Sequence, residues 1–335
     1  VMRANFLVRE GDRFLLFDPD IAQVYDGPVP EEDRKSEIAW MGAILRRYTP
    51  VTAVRLHDFF LATEEGAYAS PMEFGRELER LFSESHGEFP AGTGAMSDVG
   101  LVRSLNEDNW GWIHLGGDIN LFVCADGMGG HDKGEVASQM AVEIICREAR
   151  ARLAKAPDVT PERLENLLEE SFQLGNNGIK EHSEVLRNDM GTTMVAAMIQ
   201  DNRLAYVANV GDSRGYLLRE QMLHQVTRDH SLVSRMVEQN RITKEEARTH
   251  PHSNILLRTV GTERDVDIDI FSVELDKGDR ILLCSDGLWG EVEDEDIESI
   301  LNHYADPRIA CRELIRAAHH GGGKDNITVV LITVP

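Results

Sequence analysis

The chain has 335 residues, about twice a typical domain of ~150, which excludes a single small module and leaves room for one large core plus an appendage. Its 58 acidic and 35 basic residues leave a formal charge of −23, which opposes binding to nucleic acid or to an anionic membrane surface. With 42% of residues apolar it is a globular chain and not an acidic disordered one, and no stretch reaches the roughly 18 to 20 apolar residues of a membrane span.

The opening residues, VMRANFLVREGDRF, contain no apolar leader with a cleavage site, so a cytoplasmic location is expected. NFLVREGDRFLLFD predicts an N-terminal hairpin or single strand. Helices follow at 32–47, 52–62 and 71–83, where Ile38, Met41, Ile44 and Leu45, then Phe74, Leu78, Leu81 and Phe82, recur at helical spacing. Residues 1–90 thus read as a small α+β segment of unknown role, either docking or regulatory, with no constellation that suggests chemistry. Pro and Gly cluster in EFPAGTGAMS, so residues 91–96 are expected to be a linker, with the main domain running from 97 to 335.

Beyond residue 97 the pattern changes to apolar strands punctuated by Gly-Asp or Asp-Gly. Strands are predicted at 119–125, 193–200, 203–210, 215–219, 280–285 and 326–334. Helices are predicted at 134–155, 161–182, 231–239, 243–249, 294–302 and 307–319. Two long helices fall consecutively between strand clusters instead of alternating with strands, which favours an α+β fold of packed antiparallel sheets over a doubly wound parallel sheet. Cys124 and Cys284 lie inside apolar runs, LFVCAD and ILLCSD, and read as core residues.

Three apolar strands end on an acid: LFVCAD on Asp126, YVANVGD on Asp212 and ILLCSD on Asp286. A fourth, NITVVLITV, is immediately preceded by Asp325. In packed antiparallel sheets these ends can meet at one edge of the core. Clustered, half-buried carboxylates are tolerable only when cations neutralise them, and an oxygen-only set favours hard Mg²⁺ or Mn²⁺ over Zn²⁺. Just ahead of the first of these strands, DVGLVRSLNEDN brings Arg103, whose planar fork matches a phosphate, close to Glu107 and Asp108.

The segments DVGLVRSLNED, DGMGGHDKGEVAS, GTTMVAAMI, ANVGDSRGYLL, TRDHSL, LLCSDGLWGEV and GKDNITVVLI, in this order, closely resemble the metal-dependent type 2C Ser/Thr protein phosphatases of bacterial type, over about residues 97–335. The resemblance implies an α-β-β-α sandwich of two packed antiparallel sheets flanked by helices. It implies two to three Mg²⁺ or Mn²⁺ ions. Asp126 matches the carboxylate bridging two of them, Gly127 the donor of a backbone carbonyl, and Asp286 and Asp325 the remaining acids of the two-metal centre. Asp212 with Asp286 matches a third, weaker site, and Asp108, beside Glu107, matches the acid that orders metal-bound water.

Arg103 matches the clamp on the substrate phosphate, and a metal-bridging hydroxide is expected to attack phosphorus directly, with no phosphoenzyme. Met128 stands where many eukaryotic members carry the His that protonates the leaving group, so His131 or a metal-bound water is expected to take that role. Asn326 is expected to orient Asp325, and residues 231–258 to form a flap beside the site. The implied partners are phospho-Ser/Thr proteins and an opposing bacterial Ser/Thr kinase, in a signalling role. The alternative is a non-catalytic phosphoprotein-binding regulatory module on the same fold.

Overall fold

The computed structural model describes residues 6–10, 13–17, 39, 59, 61–63, 65–68, 90, 92–129, 133–155, 159–248 and 250–335. The chain divides into two compact units, Val1–Ser85 and His86–Pro335. In the first, β1 (Phe6–Glu10) and β2 (Arg13–Phe17) pair antiparallel, with Phe6 opposite Phe17, as the hairpin reading expects. Phe59 and residues 61–63 are helical, Thr63 Oγ1 donates to the Phe59 carbonyl at 2.7 Å, and the Phe59 and Tyr68 rings lie 5.3 Å apart. The helix expected at 71–83, and that at 32–47 apart from Ala39, lie outside the described residues.

The second unit is built from two antiparallel sheets. One contains β4 (Asp108–Gly116), β5 (Ile119–Met128), β7 (Met194–Gln200), β8 (Leu204–Val210) and β11 (Asp269–Glu274), with the short β6 (Gly191–Thr192) added to the end of β5. The other runs β10 (Met222–Gln225), β9 (Arg214–Arg219), β12 (Arg280–Cys284), β13 (Ile327–Thr333), β3 (Thr93–Asp98). Side-chain alternation along each central strand separates three apolar layers. On β5, Leu121, Val123 and Ala125 face the helices α1 (Lys133–Lys155) and α2 (Pro161–Leu186), whereas Phe122 and Cys124 face the other sheet. On β13, Val330 and Ile332 meet them between the sheets, while Val329 and Leu331 face α5 (Asp286–Trp289), α6 (Asp294–His303) and α7 (Pro307–Gly321). The result is the α-β-β-α order that the resemblance implies. These strands are buried on both faces, so they read as unbroken apolar runs.

The helix ends follow local chemistry. Thr160 caps α2 ahead of Pro161, and Asp306 caps α7 ahead of Pro307, each side chain accepting a backbone N–H of the first turn.

Residues 93–96 depart from the linker expectation: strand β3 starts at Thr93 and pairs with β13 from Thr93↔Ile332 to Asp98↔Ile327. The Gly and Pro content suggested a loop, but Gly94 is there for close packing. A Cβ at that position would stand 2.7 Å from the Pro307 backbone at the start of α7, and pairing with a strand more than 200 residues away leaves no local signature. Strands β4, β10 and β11 are also absent from the sequence expectation. For β4 a usable signal exists: Trp110, Trp112, Ile113 and Leu115 precede a Gly116-Gly117-Asp118 turn into β5.

Among the described residues no helix is long and apolar enough to cross a membrane.

Candidate metal centre and active site

The topology brings the acids named above to one edge of the sandwich. Asp108 at the start of β4 is directly opposite Asp126 near the end of β5. Asp212 follows β8, Asp286 follows β12, and Asp325 precedes β13, the antiparallel neighbour of β12. Asp108 and Asp212 are buried; Asp126, Asp286 and Asp325 are half-buried.

The backbones of Asp126 and Asp212 are held by partners distant in sequence. The Asp126 carbonyl accepts from Thr193 N–H at 2.8 Å and Thr192 Oγ1 at 2.7 Å. The Asp212 carbonyl accepts from Trp289 Nε1 at 3.0 Å, and the Arg214 guanidinium lies 3.7 Å over that indole while forking onto Asp229. Gly127 is buried where Glu107 and Gly134 converge, and a Cβ there would stand 2.1 Å from the Gly134 carbonyl. Gly127→Ala must displace this backbone. It is expected to lower stability by about 1–3 kcal/mol, read as a melting-temperature drop of several degrees, and to lower activity with it.

The electrostatics record the convergence. Burial first, then the charges of Asp108, Asp286, Asp212 and Asp325, pushes the Asp126 carboxyl well above the ordinary carboxylate range. Burial and Asp286 do the same for Asp212. Burial and then Asp325 raise Asp286 to about 6. Burial raises Asp108 to about 7 against the opposing hydrogen bond of Ser285. Arg103 answers Asp325 directly, with Nη2 2.7 Å from its Oδ2, and the Arg214 charge acts on Asp212. Asp108 Oδ2 accepts from Ser285 Oγ at 2.7 Å, whereas its Oδ1 is buried without a partner among the described residues.

A crowd of carboxylates with an unpartnered buried oxygen is the chemistry of a site for hard divalent cations. Among the described residues no three Asp, Glu, His or Cys side chains close a ready-made metal cage. That is compatible with Mg²⁺-like ions, which use one or two carboxylates each and complete their shells with carbonyl and water oxygens.

Arg103 sits exposed on the 99–107 loop, and the Glu107 carbonyl accepts from Gly127 N–H at 3.2 Å and from Ser138 Oγ. Asn326 lies beneath that loop, and its own N–H donates to Asp325 Oδ1 at 2.9 Å. His131 lies outside the described residues. Sequence reasoning missed Ser285, which ties Asp108 to β13, although its place directly before Asp286 was a signal. It also missed Trp289, one turn beyond Asp286 on the same helix.

The sequence model described as Protein phosphatase 2C matches residues 102–318. The chain belongs to this family. Serine/threonine phosphatase stp of Listeria monocytogenes serotype 4b (strain F2365) is 41% identical over 249 residues, covering 74% of this chain and 95% of that protein. The Streptococcus agalactiae serine/threonine phosphatase superposes with a TM-score of 0.67 at 32% identity, covering 72% of this chain and 99% of that one. The catalytic domain of the serine/threonine protein phosphatase PstP, in complex with two manganese ions, superposes with a TM-score of 0.62 at 37% identity, covering 72% and 96%. This chain is therefore a metal-dependent protein Ser/Thr phosphatase of bacterial type that uses a divalent cation and acts on phosphoproteins. The non-catalytic alternative is not favoured.

The cysteines stay with packing: Cys124, Cys284 and Cys311 are buried free thiols, and burial pushes all three up. His230 is likewise tied into the fold, with Nδ1 accepting from Gly211 N–H at 3.1 Å and Nε2 3.3 Å from Asp269 Oδ2. Segment 231–258 contains α3 (Leu232–Glu238) and α4 (Lys244–Arg248), and Arg248 Nη2 donates to the carbonyls of Trp289 at 2.6 Å and Val292 at 3.0 Å. That segment is thereby joined to the turn that carries Asp286.

Proposed function

We propose that this phosphatase hydrolyses phosphoserine and phosphothreonine monoesters in one direct displacement, at a centre of two to three Mg²⁺ or Mn²⁺ ions. Asp126, the Gly127 carbonyl, Asp286 and Asp325 would hold two of the ions, and Asp212 with Asp286 a weaker third. The observation that carries this reading is the meeting of five carboxylates from separate strand ends at one edge, one of them Asp108, whose Oδ1 is left without a partner among the described residues. Cations held there supply an activated water and draw off charge from the phosphoryl oxygens.

The remaining roles belong to the chain. Asp108 Oδ1, fixed because Ser285 holds Oδ2, accepts a hydrogen bond from water in the cup. Arg103 uses one of its five donors on Asp325 and presents the others at the exposed mouth, where they grip the phosphoryl oxygens. Proton delivery to the departing serine or threonine oxygen falls to His131 or to a water. Segment 231–258 acts as the flap that meets the phosphopeptide. Residues 1–90 serve as a docking or regulatory segment, and the whole works in the cytoplasm against a Ser/Thr kinase.

Arg103→Ala tests the phosphate grip. Loss of charge-assisted hydrogen bonds worth about 1.5–3 kcal/mol is expected to lower kcat/KM on a phosphothreonine peptide by roughly 10- to 100-fold, chiefly through KM. An unchanged KM sinks the assignment.

A further inference from the structure

We propose that Asn326 is a positioning residue for Arg103, acting through the 99–107 loop rather than through the Asp325 carboxylate; the proposal rests on the reading of Arg103 as the phosphate clamp. Asn326 is 4% exposed, and its amide makes three hydrogen bonds to that loop. Nδ2 donates to the carbonyls of Val99 and Leu105, both at 2.9 Å, and Oδ1 accepts from Glu107 N–H at 2.8 Å. These three backbone groups lie on both sides of Arg103, so one side chain cross-links the two limbs of the loop.

The bond from Asn326 to Asp325 Oδ1, by contrast, comes from the backbone N–H and survives any replacement of the side chain except proline. Arg103 is itself exposed, with half of its side-chain surface open and, among the described residues, one ion pair, at 2.7 Å to Asp325. A surface pair of that kind orders a long side chain weakly. Where the guanidinium stands is therefore decided mainly by where the loop holds its Cα.

The rest of the cradle agrees. Leu101 N–H donates to the Gly323 carbonyl at 2.7 Å, Gly100 N–H to Asp98 Oδ1 at 2.9 Å, and His319 Nε2 lies 2.8 Å from that same oxygen. The segment from His319 to Asn326 is the seat of the loop, and Asn326 is the member that reaches both of its limbs.

The test compares Asn326→Ala, Asn326→Asp, Arg103→Ala and the Asn326→Ala/Arg103→Ala double variant in the full chain. The readouts are phosphothreonine-peptide kinetics, inhibition by inorganic phosphate, the Mn²⁺ titration midpoint, and amide hydrogen exchange over residues 99–107. Loss of the three bonds is expected to raise KM and the inhibition constant of phosphate about 10-fold, to speed exchange in the loop, and to leave the Mn²⁺ midpoint within about twofold. On top of Arg103→Ala, Asn326→Ala is expected to add less than about twofold in KM, because residues acting through one another are not additive.

Asn326→Asp keeps the acceptor for Glu107 N–H but faces two carbonyls without a donor. It is expected to raise KM while its added charge holds Mn²⁺ at least as tightly, and it stands in should the alanine variant fail to fold. Multiplicative effects in the double variant, or an Mn²⁺ midpoint that weakens in step with KM, overturn the proposal in favour of a general structural or metal-side role. If Arg103→Ala raises KM and the Asn326 variants do not, positioning fails alone. If Arg103→Ala leaves KM untouched, the phosphate-clamp reading fails and takes this inference with it.

Discussion

Asp126→Ala and Asp286→Asn are each expected to lower kcat on a phosphothreonine peptide by on the order of 10³-fold or more, since cation stabilisation of the transition state is worth several kcal/mol and each 1.4 kcal/mol is a factor of ten. The same variants are expected to remain folded. Both side chains are half-buried at the sheet edge and none of the three apolar layers depends on them. Removing one charge from a set whose members raise one another's proton affinity also relieves repulsion, so without cations the variants are expected to melt at or above the temperature of the parent chain. Kinetics and a thermal melt in chelator, run on the same preparations, check both halves. Full activity of either variant ends the assignment of these carboxylates to the metal centre.

Chelation is expected to abolish turnover and to expose a pH dependence of stability. In the cation-free chain Asp286 and Asp108 hold their protons up to about 6 and about 7, against an ordinary value of 3.8, chiefly because they are buried. The folded form therefore binds more protons than the unfolded form between these limits, and by linkage its stability falls as pH rises through this window. Stability is greatest near pH 4 as far as these groups are concerned, and their contribution is lost by about pH 7. Cations reverse the sign because they bind the ionised carboxylates. The increase in melting temperature on adding Mn²⁺ is thus expected to be small near pH 5 and to grow towards pH 7.5. A thermal-shift series with and without Mn²⁺ across that range decides it. A shift that is flat or shrinks with pH contradicts an acidic metal cup.

Much of the site was legible because the chain marks it locally. Each of Asp126, Asp212 and Asp286 ends or follows an apolar run, and Asp325 precedes one. A carboxylate beside an apolar run is conspicuous whatever the tertiary context. Asn326 shows the opposite situation. Its sequence neighbour Asp325 suggested its purpose, yet its side chain turns to Val99, Leu105 and Glu107, more than 200 residues earlier. Ser285 stands beside Asp286, which marks it as near the site, but its role appears only when β4 delivers Asp108 to it. Strand β3 was hidden by its composition, because Gly94 answers to the backbone of α7 and carries no turn signal of its own.

The amino-acid order alone determined which segments are apolar on both faces, where the long helices start, which acids terminate strands, and, through seven ordered motifs, the family. These depend on neighbours within a few positions, where propensity and periodicity act. Only the tertiary structure decided that the five acids share one edge, that Asp108 Oδ1 is left without a partner among the described residues, and that one amide holds the Arg103 loop closed. Carboxylate repulsion and hydrogen bonding depend on separations of a few ångströms in space, and sheet pairing sets those separations between residues that the chain order keeps far apart.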